Sequence, residues 1–189
     1  TEEEYDWNGF AAEMCVRYLQ LLNDSSTIND AENIFYQKID INNIGIAGHS
    51  QGGVGVINAI TTQKNKDIFK AAVAISPTNK ELAAALQWDY DASKLDTPIM
   101  LISGEGGGDD WVVTGAQLSD IYNDIPDNKI MLRRKSTAHG ETLYAANGYV
   151  TAWFMWQLQG DMYAASAFTG DEPEIMRNSL YQDQLIDLN

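Results

Sequence analysis

The reading of this chain turns on Ile44-Gly45-Ile46-Ala47-Gly48-His49-Ser50-Gln51-Gly52-Gly53-Val54-Gly55-Val56-Ile57. Ile44 to Ala47 is a short apolar, partly β-branched run, the pattern of a buried strand. Gly48 to Gly53 reads as a turn, and Val54, Ile57 and Ile60 then recur at helical spacing. Gly48-His49-Ser50-Gln51-Gly52 fits G-x-S-x-G, and the strand before it and helix after it are the setting in which that pattern carries chemistry. A sharp turn there lifts a serine hydroxyl clear of the sheet and holds its backbone in a strained conformation. Side chains at positions 48 and 52 are expected to collide with the turn, hence two glycines. Gly53 and Gly55 extend the small surface and let the helix pack close to the strands. The helix N-terminus aims N–H groups and a positive dipole end at the site, which suits a developing oxyanion.

Outward from this stretch, strands and helices alternate. Toward the N-terminus, Asp6 or Asn8 can cap a helix whose apolar face is Phe10, Met14, Cys15, Tyr18, Leu21 and Leu22. Asn23 to Asn33 is polar and reads as a loop. Toward the C-terminus, Ala71 to Ile75 is a second apolar strand closed by Ser76-Pro77. Pro98 to Ser103 is a third, ended by the glycine-rich loop Gly104 to Gly108. Leu118, Ile121, Tyr122 and Ile125 are helically spaced before Pro126, and Ile130 to Leu132 starts a fourth strand. Leu143 to Leu158 predicts one apolar helix whose Tyr149, Trp153, Phe154 and Trp156 pack a core. Pro173, behind Asp171-Glu172, opens a last helix. This alternation predicts a single α/β domain over 1–189, a mainly parallel sheet with helices on both faces.

Composition narrows the function classes. Twelve Lys and Arg against 27 Asp and Glu leave a net charge of −15, which repels phosphate backbones and anionic lipid, so nucleic acid is not an expected partner. No apolar run is long enough for a transmembrane segment. The start, Thr1-Glu2-Glu3-Glu4, shows no leader pattern, and no compartment follows from the sequence. Cys15 is the single cysteine, so an internal disulfide and a cysteine-based zinc site are excluded; no metal or cofactor is expected. A serine attacks only when a base removes its proton. There are two histidines, and His49 adjoins the serine with its side chain expected to project away, which leaves His139 as the base.

The segment from Asp40 to Gly53 resembles the nucleophile elbow of α/β-hydrolases, closest to the dienelactone-hydrolase-like and polyester-hydrolase (cutinase-like lipase) branch. The resemblance runs from about Asp40 to the region of Trp156. Thr97 to Gly104 looks like the strand before that family's catalytic acid, and Ala138-His139-Gly140 looks like its histidine loop. The resemblance implies a Ser-Asp-His chain order and a structural role for His49. It places the acid in the loop after the third strand. Asp110-Trp111-Val112-Val113 fits the acid-then-apolar pattern better than a start at Asp109, and Glu105 stands third. Gln51 would supply the oxyanion N–H that follows the nucleophile.

A family member has strands before the elbow strand, one of which leads to the second oxyanion donor. Only a helix and a polar loop are legible there. The chain is therefore expected to be an α/β-hydrolase sheet lacking its N-terminal strands, the C-terminal portion of a longer hydrolase, with a shortened family member or a member that has lost the activity as the other readings. An upstream segment or a second chain would complete the sheet. The expected reaction is hydrolysis of a carboxylic ester, small-molecule, lipid or polyester, by Ser50, His139 and Asp110 or Asp109 through an acyl-enzyme. Trp111 and Trp88 are candidates to line the acyl site, Trp88 more as packing. The alternatives are another acyl-transfer activity (thioesterase, peptidase, acyltransferase) and a non-catalytic binding module on the same scaffold.

Overall fold

The apolar runs assemble into a five-stranded sheet. The structure is a computed structural model that describes residues 7–189. The strands are β3 (Ile44–His49), β4 (Phe69–Ile75), β5 (Ile99–Gly104), β6 (Lys129–Arg134) and β7 (Tyr181–Asp187), in the order β3-β4-β5-β6-β7. The first four are parallel, and β7 runs antiparallel to β6. Two further short strands, β1 (Thr27–Ile28) and β2 (Ala31–Glu32), pair only with each other. They lie where the polar composition predicts a loop. Asn29 and Asp30 between them have φ of 48° and 64°, the left-handed geometry of a tight hairpin that Asn and Asp tolerate.

Period-two alternation divides the strand side chains between two cores. On one face Ala72, Ala74, Ile99, Leu101 and Met131 pack against helix α1 (Phe10–Asp24), helix α2 (Gln51–Thr61) and a later helix. On the other, Ala71, Val73, Met100, Ile102, Ile130 and Leu132 meet Tyr149, Trp153 and Phe168. Between β4 and β6 lie α3 (Lys80–Ala85), α4 (Asp109–Val112) and α5 (Gly115–Asp124); α5 is the later helix of the first core. After β6 come α6 (Thr142–Ala145), α7 (Asn147–Gln159), α8 (Met162–Ala165) and α9 (Glu174–Arg177). The helix expected over Leu143 to Leu158 is thus divided at Ala146. Trp153 is fully buried and meets Trp156 and Phe168 edge-on, so the aromatic stripe is core packing. Pro173 does open a helix, but it lasts four residues before β7. No apolar alternation announces β7, because its half-buried positions include Gln182 and Gln184. Its Asp183 and Asp187 pair with Arg133 and Lys129 of β6.

The N-terminal helix is turned differently from its apolar pattern. The Phe10 N–H donates to Asn8 Oδ1 at 2.8 Å, while Asp6, the other candidate cap, lies outside the described residues, as do Thr1 to Glu4. The buried residues of α1 are Glu13 and Val16. Glu13 takes Arg17 at 3.0 Å and Asn65 at 2.8 Å. Phe10, Met14, Cys15, Tyr18 and Leu21, which share the apolar face read from the sequence, are exposed. Beside them β3 forms an edge of the sheet, and among the described residues it pairs only with β4. An apolar groove of about 360 Å³ runs between α1 and Ile44 to Gly48 of that strand. Among the described residues no helix is long and apolar enough to cross a membrane.

Candidate active site

The C-terminal ends of the parallel strands carry the candidate residues. At the end of β3, Ser50 has φ 60° and ψ −120°, outside the regions an L-residue favours, and stands at the N-terminus of α2. Its N–H donates to the Ile75 carbonyl of β4 at 2.9 Å, and its own carbonyl receives the Gly53 N–H at 2.9 Å. The strained residue is therefore pinned to the neighbouring strand and to the first helical turn. The glycines around it have separate reasons. A Cβ on Gly48 would strike the Gly52 carbonyl, and one on Gly53 would come within 2.9 Å of Pro77. A Cβ on Gly52 meets nothing within 4 Å, so the expectation that both flanking glycines avoid a collision is corrected: only Gly48 does. Gln51 is the first residue of α2, so its N–H follows the serine as the sequence requires.

The loop after β5 brings one of the two candidate carboxylates against His139. His139 Nδ1 lies 2.7 Å from Asp109 Oδ1. Asp109 has no exposure, and its Oδ2 accepts the Ser76 hydroxyl at 3.0 Å and the Gly104 N–H. A buried carboxylate with three donors has both oxygens fixed, which orients the imidazole it holds. Asp110, the preferred candidate from sequence, points elsewhere. Its Oδ1 takes the Arg133 guanidinium at 2.5 Å and its Oδ2 the Gly106 N–H at 3.0 Å. The order of the two is thus reversed in the geometry. The reason is that α4 begins at Asp109, so adjacent side chains leave it in different directions. Glu105 is not at the imidazole either. Its backbone pairs with Thr137 through two hydrogen bonds of 3.1 Å, which staple the acid loop to the segment leading to His139.

His139 opens a single 3-10 turn, His139–Glu141, with a quarter of its side chain exposed. Its ring lies 4.3 Å from that of His49, the residue bonded to Ser50. The structure so brings the residue before Ser50, His139 and Asp109 into one chain of contacts. Burial, and after it the neighbouring His139, holds His49 below its ordinary pKa, against a smaller upward pull from its hydrogen bond to His139 and from Asp109.

Two residues of this site were not signalled by the motif. Ser76, closing β4 with φ 43°, donates to the acid. Arg133 is 7% exposed and donates to Ser103 Oγ and to the Gly104 carbonyl, each at 3.2 Å, as well as to Asp110. It braces the loop through Gly104 and Asp110. The available signal was an arginine two residues after Met131 on an apolar strand, which alternation puts on a covered face. Trp111 is 74% exposed beside Asp110, whereas Trp88 is partly buried. Among the described residues no group of His, Cys, Asp and Glu is gathered to hold a metal ion. No family model matches the chain, and no curated protein matches it.

Proposed function

We propose that the chain is a serine hydrolase of the α/β-hydrolase type that cleaves carboxylic esters through an acyl-enzyme. The observation that carries this reading is the strained Ser50 on a strand-to-helix turn, with a histidine–carboxylate pair packed against its neighbour. Ser50 Oγ attacks the acyl carbon while His139 Nε2 takes its proton. Asp109 holds Nδ1–H, fixes the tautomer and stabilises the imidazolium. The imidazolium then protonates the leaving alkoxide, and water activated by the same ring releases the acid. The Gln51 N–H donates to the oxyanion at the helix N-terminus. Net charge −15 favours neutral or apolar esters over anionic ones, and Trp111 offers an apolar surface at the rim.

The test is a fluorophosphonate probe, which labels only an activated serine, followed by a panel of p-nitrophenyl esters, thioesters and peptides. Labelling at Ser50 with preference for the esters is the expected result. No labelling of a folded chain would overturn the hydrolase reading in favour of a binding module, and a preference for thioesters or peptides would move the substrate class.

A further inference from the structure

The acyl-transfer steps above use Ser50, His139 and Asp109 and leave His49 unassigned, although it touches the base directly. His49 is the last residue of β3 and is joined by one peptide bond to Ser50. Its Nε2 lies 3.0 Å from the main-chain carbonyl oxygen of His139, and the two rings are tilted 37° to each other. A carbonyl oxygen only accepts, so His49 Nε2 carries the proton and donates. The contact therefore links the residue before the nucleophile to the main chain of the base across 90 residues of sequence.

We propose that His49 is a positioning residue that fixes His139 relative to Ser50, by the hydrogen bond to its carbonyl and by packing along its ring. The proposal rests on the reading of Ser50 as nucleophile and His139 as base. Asp109 holds one edge of the imidazole, at Nδ1, and a single hydrogen bond leaves the ring able to swing about that contact. The His139–Glu141 turn is one turn long and partly exposed, so it supplies little rigidity of its own. His49 removes both freedoms, because it ties the loop backbone to the elbow and covers a ring face. A base displaced by about 1 Å costs on the order of 10²-fold in rate.

The charge state of His49 agrees with this role. The ionisable groups that face it are His139 and Asp109, and burial disfavours its cation first of all. The neutral ring with hydrogen on Nε2 still donates to the carbonyl. It also spares the His139 imidazolium, which must form during catalysis, a second cation at 4.3 Å.

His49→Phe keeps a flat ring and removes the donor, whereas His49→Gln places an amide N–H near the Nε2 position and removes the ring. For His49→Phe the expected result is a fall of about 10–100-fold in kcat and in the rate of fluorophosphonate labelling, with KM within about twofold. His49→Gln is expected to recover to within about threefold of the parent. Near-UV circular dichroism of both variants checks that the fold is kept. A His49→Phe chain with parental kcat, or a His49→Gln chain no better than His49→Phe, overturns the proposal. If His49→Phe does not fold, the decision passes to His49→Gln and to the unsubstituted chain. In the latter, long-range ¹H–¹⁵N correlation of the imidazoles at neutral pH is expected to show hydrogen on His49 Nε2. Hydrogen on Nδ1 alone overturns the proposal whatever the activity. Ser50→Ala, assayed alongside, separates the two ideas: retained turnover there would overturn the triad and leave the tautomer to decide the contact.

Discussion

The turn after β3 and the loop after β5 both deliver a side chain to the same end of the sheet, but they hold it by different means. Ser50 is positioned by the shape and main-chain contacts of its turn. Its φ and ψ, the missing side chain at Gly48, the close packing of Gly53 on Pro77 and the hydrogen bond from its N–H to Ile75 fix the elbow through backbone shape and main-chain contacts. Asp109 is positioned by distant groups. Ser76 comes from the end of β4, Arg133 braces the loop from β6, and Thr137 staples it through Glu105. Strain in the elbow is resisted by main-chain hydrogen bonds and close packing, whereas the loop after β5, with Gly106, Gly107 and Gly108 all at positive φ, is ordered by the side chains it touches. A substitution in the elbow should act through shape, and one around the acid loop through lost polar partners.

The largest expected effect tests the elbow. Ser50→Ala removes the proposed nucleophile from a turn that accommodates a small residue, so ester turnover should fall by at least about 10⁴-fold with the melting temperature little changed. Turnover above about a tenth of the parent would show that the strained turn serves something other than catalysis.

The next test sets the two adjacent carboxylates against each other. Asp109→Asn should lower kcat by about 10³–10⁴-fold, because the amide cannot stabilise the imidazolium and favours the wrong tautomer. Asp110→Asn should cost less than about threefold in kcat and under about 1 kcal/mol in stability, since it weakens one half-exposed contact to Arg133 while Asp183 remains. Steady-state kinetics of both variants, with denaturant midpoints, check this ranking; equal losses would mean that the Arg133 brace and the histidine bond act as one unit.

Shape dependence is sharpened by a pair of glycines. Gly48→Ala should destabilise the fold by about 1–3 kcal/mol, as an overpacked site does, and distort the elbow. Gly52→Ala, with open space around its new methyl group, should stay within about 0.5 kcal/mol. Urea midpoints measure both, and a large loss at Gly52 would contradict the stated geometry.

The smallest effect is a pH dependence. His49 is held below its ordinary value of 6.5, chiefly by burial and then by His139. As pH falls, the unfolded chain protonates this residue first, so protons favour unfolding. The contribution of His49 is complete above about 6.5 and is lost as pH falls through its depressed folded value. Stability measured against pH should therefore decline less steeply below about 6.5 in His49→Phe than in the parent. An unchanged slope would mean that the ring is not desolvated.

What could be read in advance follows the same division. The elbow was legible because strand, turn and helix are written in fourteen consecutive residues, Ile44 to Ile57. The parallel strands were legible for the same reason, each a contiguous apolar run. The choice between Asp109 and Asp110 was not, because local pattern is blind to Arg133, which arrives from 23 residues away and claims Asp110. Strand β7 escaped because two of its covered positions are glutamines, and its order comes from the ladder to β6 and from Asp183 and Asp187. Which face of α1 is covered was not legible, because periodicity reports an apolar stripe without saying what it meets. Its buried side is instead satisfied by Val16 and by a carboxylate with two partners, Glu13.

One consequence of the sheet order concerns time rather than geometry. The strand that leads into Ser50 is an edge strand, held among the described residues by a ladder on one side, whereas β5 has ladders on both. Amides in an edge strand are released by small openings, those of a central strand only by larger ones. The backbone of β3 should exchange its hydrogens for deuterium well before that of β5. The serine is thus mounted on a part of the sheet that opens more often than its centre, and anything that pairs with the outer edge of β3 would slow the exchange of that strand selectively.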